Sequence, residues 1–202
     1  MKFQGNSEEM IDPNRTFVTS DHHFCDWKNA PFHESTEEEE AQHIALWNSV
    51  VGKDDLVLYV GDFCDGGVVD LEYLSHKLNG RKILIKGNHD DLDDDWYRQV
   101  FEDVVTEMRI AELNILLNHE PIRTKLRPGE RLIYGHEHRC YYPPSTMRDS
   151  ICVCAKWHDW KPISLAEAIR QMNAAGNESD VVGVWLDGLY TSSMLMWSAM
   201  YI

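Results

Sequence analysis

Five short apolar runs in this chain each end in histidine, aspartate or asparagine, and that repetition constrains the fold more than any other feature. Thr16–Thr19 runs into Ser20-Asp21-His22-His23, and Leu56–Val60 into Gly61-Asp62. Lys82–Ile85 runs into Gly87-Asn88-His89-Asp90, Leu113–Leu117 into Asn118-His119, and Leu132–Tyr134 into Gly135-His136-Glu137-His138. Short runs rich in Val, Ile and Leu, bounded by Gly or polar residues, read as buried strands. Helical patterns lie between and after them. Ser35 and Glu38 have capping-box spacing, and the apolar residues that follow reach Val51 before Gly52. Leu71–Leu78 reads as a second helix, Leu92–Phe101 as a weaker third, and Ser164 with Glu167 opens a fourth that runs to Met172. Strands alternating with helices predict an α/β layered fold, with a strand-rich second half.

In open α/β sheets, ligands gather at the carboxyl ends of the strands. The strand-end placement therefore predicts that Asp21, His23, Asp62, Asn88, His89, His119, His136 and His138 converge on one cavity. Imidazole, carboxylate and amide oxygen together suit divalent Mn, Fe, Zn, Co or Ni. A carboxylate has two oxygens and can bridge two ions. Two ions about 3.5–4 Å apart clamp both sides of an in-line displacement, and phosphoryl transfer needs mainly positioning and charge neutralisation.

Composition narrows the partners. The 202 residues suit a single domain spanning 1–202. The net charge of −15 repels polyanions, which favours a small phosphorylated substrate over long nucleic acid or an anionic membrane. Cysteine occurs five times with no C-x-x-C pair, so the thiols are expected to be reduced and the setting cytoplasmic. The first residues lack the apolar run of a secretory signal. Val181–Ile202 is apolar but interrupted by Gly183, Asp187 and Gly188; it fails as a membrane span, and Asp187-Gly188 reads as a hairpin turn. This stretch either packs inside or forms a dimer contact.

The ordered set Asp21-His22-His23, Gly61-Asp62, Gly87-Asn88-His89-Asp90, Asn118-His119 and Gly135-His136-Glu137-His138 resembles the calcineurin-like metallophosphoesterase family, in particular its small bacterial and phage-type members. The resemblance implies a β-sandwich of two mixed sheets flanked by helices. It implies two divalent ions, manganese foremost: Asp21, His23 and His138 on the first, Asn88, His119 and His136 on the second, and Asp62 bridging. His89 would face the substrate phosphate and Asp90 would orient His89. The implied activity is hydrolysis of a phosphate mono- or diester, nucleotide-like and small, by a metal-bridging hydroxide. A nuclease, or a non-catalytic scaffold of the same fold that binds a protein partner, are the alternatives. The protein-phosphatase branch has an Arg soon after the GD motif and Glu at the end of GNHE. This chain has Phe63-Cys64-Asp65-Gly66-Gly67 and Asp90 there, which argues against Ser/Thr protein phosphatase activity.

Arg123, Arg139 and His22 are candidates for substrate contact. Asp26, Asp65 and Asp91 read as turn or capping residues. Cys152 and Cys154 share one face of a strand and read as core cysteines. Trp157 and Trp160 either pack the core or wall the cleft.

Overall fold

The computed structural model describes residues 11–26, 36–121, 124–139 and 144–182. Within them lie nine strands: β1 (Thr16–Thr19), β2 (Leu56–Tyr59), β3 (Arg81–Ile85), β4 (Asp103–Val105), β5 (Met108–Ile110), β6 (Ile115–Leu117), β7 (Arg131–Tyr134), β8 (Ser150–Cys152) and β9 (Ile163–Ser164). Four α-helices accompany them: α1 (Glu37–Val50), α2 (Val68–Lys77), α3 (Asp94–Tyr97) and α4 (Leu165–Val182). The strands form two mixed sheets. One has the order β4-β3-β2-β1-β9, with β9 antiparallel to β1 and the rest parallel. The other has the order β5-β6-β7-β8, with β5 antiparallel to β6 and the rest parallel.

Strand alternation decides which side chains fill which layer. Val18, Leu58, Ile83 and Ile85 of the first sheet meet Ile115, Leu117, Ile133 and Ile151 of the second in one buried cluster. Leu165, Ala168 and Met172 of α4 join this cluster, so α4 closes the side of the sandwich. Val57, Tyr59 and Leu84 face the other way and pack with Trp47 of α1, Leu71 and Leu74 of α2, and Tyr97 of α3. Trp47 is fully buried, and its Nε1 donates to the Asn79 carbonyl at 3.0 Å, which ties α1 to the turn after α2. The outer face of the second sheet gathers Leu116, Leu132 and Tyr134 with Cys152 and Cys154.

Local chemistry explains where the elements depart from the sequence pattern. The capping box of α1 sits one residue later than Ser35–Glu38: the Thr36 hydroxyl accepts from the Glu39 amide at 3.2 Å, and the Glu39 carboxylate accepts from the Thr36 amide at 2.8 Å. Helix α2 begins before Leu71 because the Asp70 carboxylate takes the Gly67 amide at 2.9 Å. Helix α3 is a single turn, and α4 continues well past Met172. Strand β6 starts at Ile115 because Ala111–Leu113 coils into a 3-10 turn closed by Asn114 at φ 53. Strands β4 and β5 escape sequence reading because three-residue edge strands show no periodicity. Of the acidic run at the start of α1, Glu40 is buried and its carboxylate accepts from the Cys25 amide. Among the described residues no helix is long and apolar enough to cross a membrane. The expected turn at Asp187-Gly188 lies outside the described residues.

The cap at Thr36 is testable. Thr36→Ala removes the hydroxyl acceptor and should lower stability by about 1 kcal/mol, read as a shift in the urea midpoint with unchanged m-value.

Candidate metal centre

The parallel strands of both sheets place their carboxyl ends on the same rim of the sandwich. Asp21 and His23 follow β1, Asp62 follows β2, Asn88 and His89 follow β3, His119 follows β6, and His136 and His138 follow β7. Their side chains meet. The donor atoms of Asp21, His23 and His138 lie within 4.8 Å of one another, as do those of Asp62, His119 and His136. Asn88 joins the second group, its Oδ1 3.1 Å from His119 Nε2 and 2.9 Å from His136 Nδ1. Asp62 Oδ2 stands between the groups, 3.2 Å from His119 Nε2 and 3.7 Å from His23 Nε2.

These separations fit a cation. Nitrogen and oxygen donors bind at about 2.0–2.2 Å, so adjacent donors around one ion stand about 3.0–3.4 Å apart. The second group has 2.9, 3.1, 3.2 and 3.3 Å. In the first group, His23 Nε2 is buried with no hydrogen-bond partner, which is costly for a polar atom. Backbone and carboxylate partners orient the rings from behind. His119 Nδ1 contacts the Val60 carbonyl at 2.8 Å, leaving Nε2 toward the group. His23 Nδ1 contacts Asp65 Oδ2 at 3.0 Å, leaving Nε2 inward. A histidine held this way is a pre-set ligand.

The backbone of the donors is strained. Asp21, His23, Asp62 and His136 hold φ of 55, 47, 57 and 73, a region that crowds a Cβ against the following carbonyl. The glycines beside them permit close approach. A Cβ on Gly87 would lie 2.2 Å from Asp62 Oδ1, one on Gly61 would lie 2.4 Å from His119 Nδ1, and one on Gly135 would lie 2.6 Å from Asp21 Oδ2. This is the steric content of the GD, GNHD and GHEH strings.

Asp90 is placed differently from the expectation that it orients His89. Its buried carboxylate accepts from the backbone amides of Asp62 at 2.9 Å, Phe63 at 3.0 Å and Gly87 at 2.8 Å, so it staples the loop after β2 to the loop after β3. The carboxylate facing His89 is Asp65, with Oδ1 3.8 Å from His89 Nδ1. Asp65, which the sequence reads as a turn residue, therefore stands between His23 and His89. Cys154, read from the sequence as a core cysteine, is a second residue that reaches the site: its thiol donates to Asp21 Oδ2 at 3.1 Å. The His89 side chain is 41% exposed, and its amide donates to Asp62 Oδ1 at 2.8 Å. His22 is buried, stacked on Phe24 at 4.8 Å and hydrogen-bonded to the Tyr59 hydroxyl at 2.9 Å; burial pushes its pKa down to about 3. Arg123 and the side chain of Arg139 lie outside the described residues.

Electrostatics bind the donors to one another. Burial works against a charged His119, but the hydrogen bond to Asp62 and the charges of Asp21 and Asp62 outweigh it and raise its pKa to about 9. Burial likewise works against ionised Asp62, yet His119 and the His89 amide hold it down to about 2. Burial leaves Asp21 raised above the ordinary carboxylate value. The His119 contribution to stability is full below the ordinary imidazole pKa and is lost as pH rises through about 9. In the metal-free protein, the His119 ring should titrate near 9 by NMR. Asp62→Asn should bring that titration down, because burial then meets weaker opposition.

Comparison with known proteins bears on the family. The calcineurin-like phosphoesterase pattern matches residues 15–138. The Gene 66 protein of Mycobacterium phage L5 is 33% identical over 139 residues, covering 52% of this chain and 67% of that protein. The Gene 66 protein of Mycobacterium phage D29 is 30% identical over 193 residues, covering 79% and 96%. An uncharacterized protein of Methanocaldococcus jannaschii is 29% identical over 166 residues, covering 75% and 87%. A crystal structure of a protein of unknown function from Aquifex aeolicus shares the fold, with a TM-score of 0.59 at 24% identity, covering 77% of this chain and 97% of that one. With the family pattern spanning all five donor-bearing strand ends, the chain belongs to the calcineurin-like phosphoesterase family.

Proposed function

We propose that this protein is a dinuclear metal-dependent hydrolase of a small phosphate mono- or diester. The observation that carries the reading is Asp62 Oδ2, poised between His23 Nε2 at 3.7 Å and His119 Nε2 at 3.2 Å. A carboxylate shared by two donor groups is the arrangement that holds two ions side by side. Asp21, His23 and His138 would hold one ion, Asn88, His119 and His136 the other, and Asp62 both. Bound ions would supply an activated water as nucleophile and neutralise the phosphoryl oxygens. N/O donors of this kind accept Mn, Fe, Zn, Co or Ni, and manganese is the ion proposed.

The protein's own residues supply the rest. His89 is an exposed ring at this rim, as is His136, and it stands perpendicular to His23 with centroids 5.0 Å apart. In this reading it faces the substrate phosphate and gives a proton to the departing oxygen. Asp65 faces that ring, its Oδ1 3.8 Å from His89 Nδ1. Asp90 acts through the backbone: by gripping three amides of two loops it fixes the direction of Asp62 and of the segment that carries His89. The retained donor set favours this reading over a non-catalytic scaffold. The net charge of −15 favours a small substrate over a nucleic-acid strand.

With manganese added, the protein should hydrolyse p-nitrophenyl phosphate or bis-p-nitrophenyl phosphate, and EDTA should stop it. Failure on both esters and on a panel of nucleotides would favour the scaffold. His89→Ala should lower turnover about 10²- to 10⁴-fold while metal content measured by mass spectrometry stays constant. Asp62→Ala should remove both ions, and a variant that keeps two per chain would contradict the bridge.

A further inference from the structure

One turn of the molecule repeats the backbone strain of the donor loops without supplying a donor. Asp159 and Trp160 hold φ of 53 and 60 in succession. The other described non-glycine residues at positive φ are Asp21, His23, Asp62 and His136, together with Cys25 beside them and Asn114, a residue type that tolerates this region. A tryptophan there is disfavoured, and such outliers cluster where a side chain must be aimed. The amides of Trp160 and Lys161 close the turn on the carbonyls of Ala155 at 2.9 Å and His158 at 3.0 Å. The result is an indole laid flat on His43 of α1, with centroids 3.8 Å and planes 12° apart. Trp157 behaves otherwise: it packs against the outer face of the second sheet and donates to the Glu137 carbonyl at 3.0 Å.

Trp160 and His43 wall a cavity of 230 Å³ that also touches His22 and the donors of the first group. Among the described residues its charged lining beyond those donors is Lys156, Asp26 and Glu39. Lys156 donates to the His138 carbonyl at 3.0 Å. Carboxylate oxygens on this wall accept hydrogen bonds from hydroxyl and amino donors. Aromatic faces favour flat rings of any sequence or substituent pattern.

We propose that this cavity receives the organic group of the phosphate ester, that Trp160 is its ring-selecting wall, and that the group is an uncharged planar heterocycle carrying hydroxyl or amino donors, as in a nucleoside. The assignment rests on the phosphoesterase reading, which places a reacting phosphate at the cavity floor. The test is calorimetric binding of adenosine and of ribose to the full chain, first in EDTA and then with manganese. Adenosine has no phosphate, so the cavity is probed without hydrolysis. Adenosine should bind in both conditions and ribose should not. Trp160→Ala should weaken adenosine binding at least about tenfold, and Trp160→Phe should keep it within about threefold. A melting temperature equal to wild type for the Phe variant guards against misfolding. Absence of adenosine binding, equal binding of ribose, or wild-type binding by a folded Trp160→Ala would overturn the cavity assignment. Adenosine binding in a manganese-loaded protein that hydrolyses no ester would instead overturn the phosphoesterase reading.

Discussion

The carboxylate of Asp62 is the constraint on which the site depends. One oxygen accepts the His89 amide and the other faces His119 and His23, so a single side chain links the exits of β1, β2, β3 and β6. Its direction is fixed by a left-handed backbone and by Asp90, which grips the Asp62 amide from below. Each left-handed non-glycine residue costs roughly 1–2 kcal/mol, and four of the donors adopt this conformation. Such strain persists only where surroundings over-determine it. Here the surroundings are the buried sandwich and the three-amide grip of Asp90.

The two sheets explain why donors from distant stretches share one rim. Parallel strands deliver their carboxyl ends in the same direction, and both sheets are dominated by parallel pairs. The antiparallel members, β5 and β9, sit at edges and bring no donor. Cross-sheet bonds then lock the halves together. The His136 amide donates to Asp21 at 3.0 Å, and the Ser20 amide donates to the Val153 carbonyl at 3.0 Å. The site is thus a seam between sheets, and the sandwich core lies directly behind it.

Much of this was legible in the sequence because ligand-bearing loops follow short, strongly apolar runs. Thr16–Thr19, Leu56–Tyr59 and Arg81–Ile85 declare themselves as strands, and the polar residues after them fall on the rim. What escaped was set by tertiary contact. Asp65 resembled an ordinary turn residue until folding put it against His23 and His89. Asp90 sits beside His89 in sequence, yet its carboxylate turns to backbone amides that sequence adjacency does not reveal. Glu40 lies in the acidic run that opens α1, but the amide of Cys25 draws it inward. Edge strands of three residues carry too little pattern to be seen.

The pairing of β1 has a consequence for biosynthesis. This first strand is flanked on one side by β2 and on the other by β9, and Ala155 returns to donate to the Ser20 carbonyl at 2.9 Å. Its second neighbour therefore emerges from the ribosome only after all the other described strands. Until then one edge of the nascent sheet stands open, and non-local closures of this kind are slow and expose an aggregation-prone edge. The donor-bearing rim is consequently a late product of translation, and a chain stalled before β9 would carry all of the donors without the strand that closes their sheet.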